Sequence, residues 1–575
     1  MELSYDEKIA GVLVPLFALR REDDLGIGDL AALRAFIDWA REIGFRVVQL
    51  LPINEIGGDN SPYNAISSMA VEPTTLTLAP GTPPHLTHDD FERITRDFDL
   101  SALRTGLVKY EDVKRVKHAL LEAAFQNFDA DEDFERFCER EASWLRDYVF
   151  FRALMERNQN SEAWDQWPEE HRSSETAARW RHSLGQEERR DFEQREKFFA
   201  YVQWIAAQQW REVSAFAAER DVALMGDIPF GVSYYSADAW SRPDEFQLDW
   251  AGGAPPEPYF KDDEFTVKWG QNWGIPVYDW KQMRSRNFDW WRQRVRGVHR
   301  FFHIFRIDHV LGFYRIYAFP WRPTDNAEFL PLSEEQMLNK TGGRRPHFIP
   351  RDDETSQNCE ANQRDGEEYL RVVLEESGDT RVVGEDLGTV PPYVRPSLHS
   401  LQIAGFKIPQ WEVYDGRVTP GAEYQRVSVA TYATHDHKPL RAMWEEAFER
   451  KTDTTEQARG DLAKIAGFAR MDAQELDWFN QSSSPITPGK PRMSYTRDFY
   501  PRAMEALFAS NSWLGVVMIT DLLARKERFN VPGVGEGNWT RRMHATISEL
   551  RERRTTRERM RLIRELLSKT GRLEN

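Results

Sequence analysis

Eight short apolar runs punctuate the chain: Val12–Leu16, Arg46–Leu51, Val222–Met225, His303–Ile307, Arg381–Val383, Ile403–Ile408, Val427–Tyr432 and Gly515–Ile519. Between them, apolar residues recur mostly at helical spacing. Strands alternating with helices predict a parallel sheet, and eight repeats suit a closed (β/α)8 TIM barrel, an α/β fold. The first unit shows the pattern. Asp29 can cap a helix whose Leu33, Phe36, Ile37, Ala40 and Ile43 share one face, Gly44 can end it, and Val47–Leu51 reads as a buried strand closed by Pro52.

Two inter-strand gaps are too long for a single helix. Residues 85–200, rich in Glu, Arg, Trp and Phe at helical spacing, predict an inserted helical subdomain. Residues 339–367, polar and containing Gly342-Gly343, predict a surface excursion. The catalytic barrel is expected to span 1–540, with large, mainly helical insertions, and 541–575 to form a helical extension. The basic stretch from Arg551 to Arg564 alternates with Glu and Leu, as a solvated helix face does.

Composition narrows the function classes. The 575 residues are 41% hydrophobic and 29% charged, as in a globular protein. The net charge of −17 disfavours nucleic acid and anionic membrane surfaces as partners, but is compatible with a neutral ligand. Aromatic residues make up 13% of the chain, including 20 Trp, and flat aromatic faces can stack on sugar rings as well as fill a core. Cys138 and Cys359, the two cysteines present, make neither a disulfide framework nor a zinc site. No signal peptide and no apolar run of membrane-spanning length is apparent, so a reducing cytoplasm is the expected compartment.

The chemistry gathers where a barrel of this kind places its active site, at the C-terminal strand ends. Strand three ends in Gly226-Asp227-Ile228-Pro229, strand four in Arg306-Ile307-Asp308-His309 and strand five in Gly384-Glu385-Asp386, while strand seven runs into Thr434-His435-Asp436. Arg306 and Asp308 share a strand face, so the cation is expected to keep the carboxylate ionised and its pKa low. Any one of these could be an ordinary ion pair. Carboxylates at several strand ends repel one another, which points to a catalytic cluster instead. His435-Asp436-His437 could also suggest a metal, but no further His or Cys completes a shell, so no metal is expected. Gly26-Ile27-Gly28 lacks the third glycine and preceding strand of a dinucleotide fingerprint, and no phosphate cradle follows a strand, so no cofactor is expected.

With these motifs in order, the chain resembles the 4-α-glucanotransferases, the amylomaltase or disproportionating-enzyme family (glycoside hydrolase family 77) of the α-amylase clan. Ser61-Pro62-Tyr63, Gly270-Gln271-Asn272-Trp273-Gly274 and Glu527-Arg528-Phe529-Asn530-Val531-Pro532-Gly533 complete the set with the strand-end motifs, from about Gly11 to Asn538. Gln271-Asn272-Trp273 with Leu311-Gly312-Phe313 looks nearest the plant cytosolic branch, whose starch-binding modules are not expected here.

The resemblance implies Asp308 as nucleophile held by Arg306, Glu385 as general acid and base, and Asp436 as stabiliser of the distorted sugar. It implies sugar contacts from Asp227 and His435. Asp386, on the opposite strand face from Glu385, reads as structural. Carboxyls about 5–5.5 Å apart give retention through a covalent glycosyl–enzyme intermediate. Tyr63 and Trp273 are candidates for stacking on glucose. Gly252-Gly253-Ala254-Pro255-Pro256-Glu257-Pro258-Tyr259-Phe260 has the composition of a lid carrying two aromatics, Tyr259 and Phe260, and is one residue longer than the family's Pro-Pro-Asp-Tyr-Phe. The expected activity is transfer of α-1,4-glucan segments between maltooligosaccharides or an α-glucan polymer. A retaining hydrolase with minor transfer and a non-catalytic glucan-binding protein are the alternatives, the latter disfavoured by the intact carboxylates.

Overall fold

The computed structural model describes residues 3–256, 263–450, 454–481, 493–534 and 537–573. At its centre each apolar run contributes one parallel strand. In chain order these are β1 (Ile9–Leu13), β2 (Val47–Gln49), β3 (Ala223–Pro229), β4 (Ile304–Asp308), β5 (Arg381–Gly384), β6 (Gly405–Lys407), β7 (Ser428–Ala430) and β8 (Leu514–Met518). Each pairs with its successor and β8 returns to β1, with β5 joined to the approach of β6 through a parallel bridge from Val383 to Ala404. The sheet is the expected (β/α)8 barrel.

Strand limits differ from the apolar runs for local reasons. β1 stops before Pro15, which has no N–H to donate and opens the helical turn Leu16–Ala18. β3 continues past Met225 to Pro229, because Gly226–Pro229 stay in register with Phe305–Asp308 of β4.

Helix α1 (Leu30–Ile43) follows the predicted logic. The Asp29 carboxylate accepts from Ala32 N–H at 2.9 Å, Gly44 ends the helix at φ 109°, and Leu33, Phe36, Ile37, Ala40 and Ile43 are buried. Each such buried side chain of Leu or Phe size contributes about 1.5–3 kcal/mol. Truncating Phe36 to Ala should therefore cost this unit about 3–5 kcal/mol.

Between β2 and β3 lie helices including Tyr110–Gln126, Ala142–Arg157 and the 34-residue Gln186–Glu219, which leads directly into β3. Their buried faces join the same hydrophobic core as the barrel. The chain end is fastened to the barrel too. Met560, Ile563, Leu566 and Leu567 of helix Arg554–Lys569 are buried, and the buried Arg572 donates to the carbonyls of Ile9 (2.6 Å), Ser512 (2.8 Å) and Trp513 (3.0 Å).

Residues 339–367 carry regular structure, with Asn362 and Gly366 their buried positions. His347–Ile349 is a strand, and the 22-residue helix Ser356–Ser377, capped by Thr355, begins inside the stretch. Its polar sequence reflects an amphipathic helix that buries Asn362, Gly366, Tyr369, Leu370, Val372 and Val373. One expectation is corrected: Gly252-Gly253-Ala254 is not lid. These residues end strand Phe246–Ala254 of an antiparallel sheet with Gln271–Tyr278, Ile316–Phe319 and His347–Ile349. Gly253 is needed there, because a Cβ would lie 1.8 Å from the Gln271 carbonyl oxygen. This sheet is inserted after β3 and β4, so it stands beside the C-terminal end of the barrel.

Candidate active site

β3, β4 and β5 are neighbours, and their register brings Asp227 opposite Arg306 and Arg306 opposite Val383. Arg306, 3% exposed, donates Nε to Asp227 at 2.9 Å and Nη2 to Asp227 at 2.8 Å, to Asp308 at 2.7 Å and to the Tyr63 hydroxyl at 3.1 Å. Tyr63 in turn donates to Asp227 at 2.6 Å. One guanidinium therefore serves two carboxylates.

Glu385 follows β5 immediately. Its N–H donates to the Ile307 carbonyl at 2.9 Å, and its carboxylate accepts from the N–H groups of His309 (2.9 Å) and Leu387 (3.0 Å). His309 turns its N–H toward Glu385 from a left-handed backbone at φ 49°. That conformation in a non-glycine residue is strained by about 1 kcal/mol or more, a cost borne beside the reactive groups.

The two carboxyls titrate differently. Burial pushes Glu385 up to about 8, and Asp308 beside it pushes in the same direction, while the more distant Arg306 only offsets part of this. Burial also raises Asp308, to about 6, against the direct pull of Arg306, with Asp227 and Asp436 adding to the rise. The expectation that Arg306 holds Asp308 at a low pKa is thus corrected: the cation is shared with Asp227, and desolvation outweighs what remains of its attraction. The order survives. Asp308, in contact with a cation, ionises before Glu385.

Asp436 enters from the loop after β7. Its carboxylate accepts from Asn530 Nδ2 at 2.6 Å and lies 3.2 Å from His435 Nε2, and its carbonyl accepts from Arg528 at 2.6 Å. Burial opposes ionisation, but His435 and Asn530 overcome it and hold Asp436 well below the usual carboxylate range. Tyr63 stacks on His435 at 5.0 Å between ring centroids, and both rings lie 5.8 Å from Trp539. Trp273, 40% exposed, packs edge-on against His309 at 4.8 Å.

The predicted residues Tyr63, Asp227, Trp273, Arg306, Asp308, Glu385, His435 and Asp436 thus form one connected set at the C-terminal strand ends. Tyr259 and Phe260 lie outside the described residues. Asp386 faces away from the cleft, accepting from Phe406 N–H at 2.6 Å and pairing with Arg395 at 3.1 Å. A Cβ on Gly405 would come within 2.9 Å of that carboxylate, so this anchor requires glycine.

His437 turns Nδ1 to the Thr434 hydroxyl at 2.7 Å. Among the described residues the group spaced for a metal is His118, Glu122 and Glu156, remote from the cleft. Arg195 already bridges its two glutamates at 2.6 and 2.7 Å.

Sequence reasoning missed three contributors. Asn530 and Arg528 lay inside a quoted motif but had no strand end to mark them. Trp411, 48% exposed, packs edge-on against His437 at 4.9 Å and so mirrors Trp273 on the Asp436 side; only its position just after strand β6 signalled it.

Known proteins resemble this chain along most of its length. A family model described as 4-alpha-glucanotransferase (glycoside hydrolase family 77) matches residues 14–548. A 4-alpha-glucanotransferase of Chlamydia caviae is 29% identical over 552 residues, covering 94% of this chain and 91% of that protein. One from rice is 31% identical over 357 residues, 58% of this chain and 35% of that protein. The solved amylomaltase of Streptococcus agalactiae, in complex with acarbose, superposes with a TM-score of 0.71 at 22% identity, covering 99% of this chain and 100% of that one, a likeness of fold.

Proposed function

Since the chain belongs to the 4-alpha-glucanotransferase family, whose members transfer α-1,4-glucan segments, we propose that Asp308, Glu385 and Asp436 carry the reaction. The observation that supports this most directly is that the two strand-end carboxyls have different partners: a cation for Asp308, backbone N–H groups for Glu385. Asp308 touches a buried cation, whereas Glu385 touches none.

In the first step the protonated Glu385 gives its proton to the glycosidic oxygen while the Asp308 carboxylate attacks the anomeric carbon. The C–O bond to the leaving glucan breaks, and an acyl–glycosyl bond forms. Glu385, now ionised, then takes the proton from the 4-hydroxyl of an incoming glucan as that oxygen displaces Asp308, so both carboxyls return to their starting states. Asp436, kept ionised by His435 and Asn530, faces the positive charge that develops on the sugar ring. Asp227 and His435 receive sugar hydroxyls, and Trp273 and Trp411 provide apolar faces for glucose rings on either side. Water must be excluded for a sugar hydroxyl to win the second step.

The substrates in this reading are maltooligosaccharides or an α-glucan polymer, and the setting is cytoplasmic. In support, no helix of the described residues is long and apolar enough to cross a membrane, and both cysteines are free.

Incubation with maltotriose tests the reading. The expected products are glucose and a ladder of longer chains, with total reducing ends constant. Rising reducing ends would refute transfer. Asp308→Asn is expected to abolish turnover with the fold retained, and wild-type-like turnover in that variant would remove Asp308 from the mechanism.

A further inference from the structure

The segment after β8 has two sides. Arg528 and Asn530 reach Asp436, while the alternate residues Arg525, Glu527 and Phe529 line a separate cavity of about 270 Å3 between the loops that follow β8 and β1. Arg20, Arg541 and Arg542 complete its charged wall, beside His544, whose pKa burial lowers. Glu527 is the only carboxylate among the lining residues, and Arg525 already occupies it at 2.5 Å. Arg542 is paired with Asp24. Arg20 donates to backbone carbonyls of Arg104 and Met543, and Arg541 has no ion pair among the described residues. A chain of net charge −17 has thus concentrated unneutralised positive charge in one hollow.

Two buried donors in the same wall lack acceptors among the described residues. The Thr520 hydroxyl, on a residue 6% exposed, has no hydrogen-bond partner, and neither does Nε of Arg542. Buried polar atoms usually have a partner, and these two line the same hollow as the guanidiniums. Several guanidiniums and a hydroxyl around one volume match an oxyanion with many acceptor lone pairs. The position, directly after strand eight, is where barrels of this type commonly seat phosphate.

We propose that this cavity binds a phosphate group, free or carried on a sugar. The site is separate from the cleft and independent of the catalytic roles assigned above, although one short segment walls both.

Calorimetric titration of the full chain, in buffer free of phosphate and sulfate, with inorganic phosphate and separately with glucose 1-phosphate tests this. Saturable one-to-one binding of at least one probe is expected, weakening as salt is added. Tighter binding of the sugar phosphate would place its sugar in the cavity as well, and equal binding would assign the site to phosphate alone. Arg541→Glu, a change at an exposed residue, should weaken binding by roughly tenfold or more while transfer on maltotriose without phosphate is retained. The nearly isosteric Thr520→Val should weaken it in the same direction. The proposal is overturned if neither probe gives saturable heat, or if Arg541→Glu binds as tightly as the wild type, which would put the ligand elsewhere.

Discussion

Arg306 and Asp308, two positions apart on β4, meet through one nitrogen: Nη2 of the arginine lies 2.7 Å from Oδ1 of the aspartate. The same guanidinium also holds Asp227, so the nucleophile's ion pair is half of a triad in which Arg306 and Asp227 are buried and Asp308 is 30% exposed. Arg306→Gln leaves the buried Asp227 without its cation, which costs about 3–5 kcal/mol. Denaturant unfolding should show that loss together with near-complete loss of turnover; unchanged stability would mean the triad is open to water.

The opposed titrations set a pH window. Turnover needs Asp308 ionised, which improves as pH rises through about 6, and Glu385 protonated, which is lost as pH rises through about 8. The kcat/KM profile for maltotriose should therefore be bell-shaped between those limits, with apparent values belonging to the pair. A profile lacking the alkaline limb would remove Glu385 as the acid.

Asn530 positions Asp436 through a 2.6 Å bond from outside the strand-end motifs. Asn530→Ala is expected to lower kcat by about 10–100-fold, the worth of one hydrogen bond to a charged group, with a smaller change in KM. Equal kcat in the variant would show that His435 alone suffices.

Arg572 closes the end of the barrel opposite the cleft by satisfying several backbone carbonyls without any carboxylate partner among the described residues. Burial, with Arg426 adding, lowers its pKa to about 9. Arg572→Met should destabilise the protein by about 3 kcal/mol or more, because buried carbonyls lose their donors. Thermal melting checks this, and kcat of the folded variant should stay near wild type.

Much of this was legible in the chain. Short continuous apolar runs and the helical spacing between them located all eight barrel strands, since a strand buried on both faces tolerates little else. Carboxylates following those runs marked Asp227, Asp308, Glu385 and Asp436, because the fold gathers strand ends into one place. The antiparallel sheet was not legible: Gly252, Gly253 and Ala254 read as loop, and became strand through pairing with residues far along the chain. Helix Ser356–Ser377 was hidden by a polar face that its buried side outweighs.

The sequence alone determined the barrel, the acids and the family resemblance, because local periodicity and short motifs are properties of neighbouring residues. Only the tertiary structure decided how those acids behave. Arg306 looked like a private partner for Asp308 until the barrel register set Asp227 on its other side. Sharing the cation and losing water raised the nucleophile's pKa instead of lowering it, and Glu385 rose further for want of a cation of its own. Desolvation and shared charge depend on what surrounds a residue in space, which no run of neighbours along the chain records.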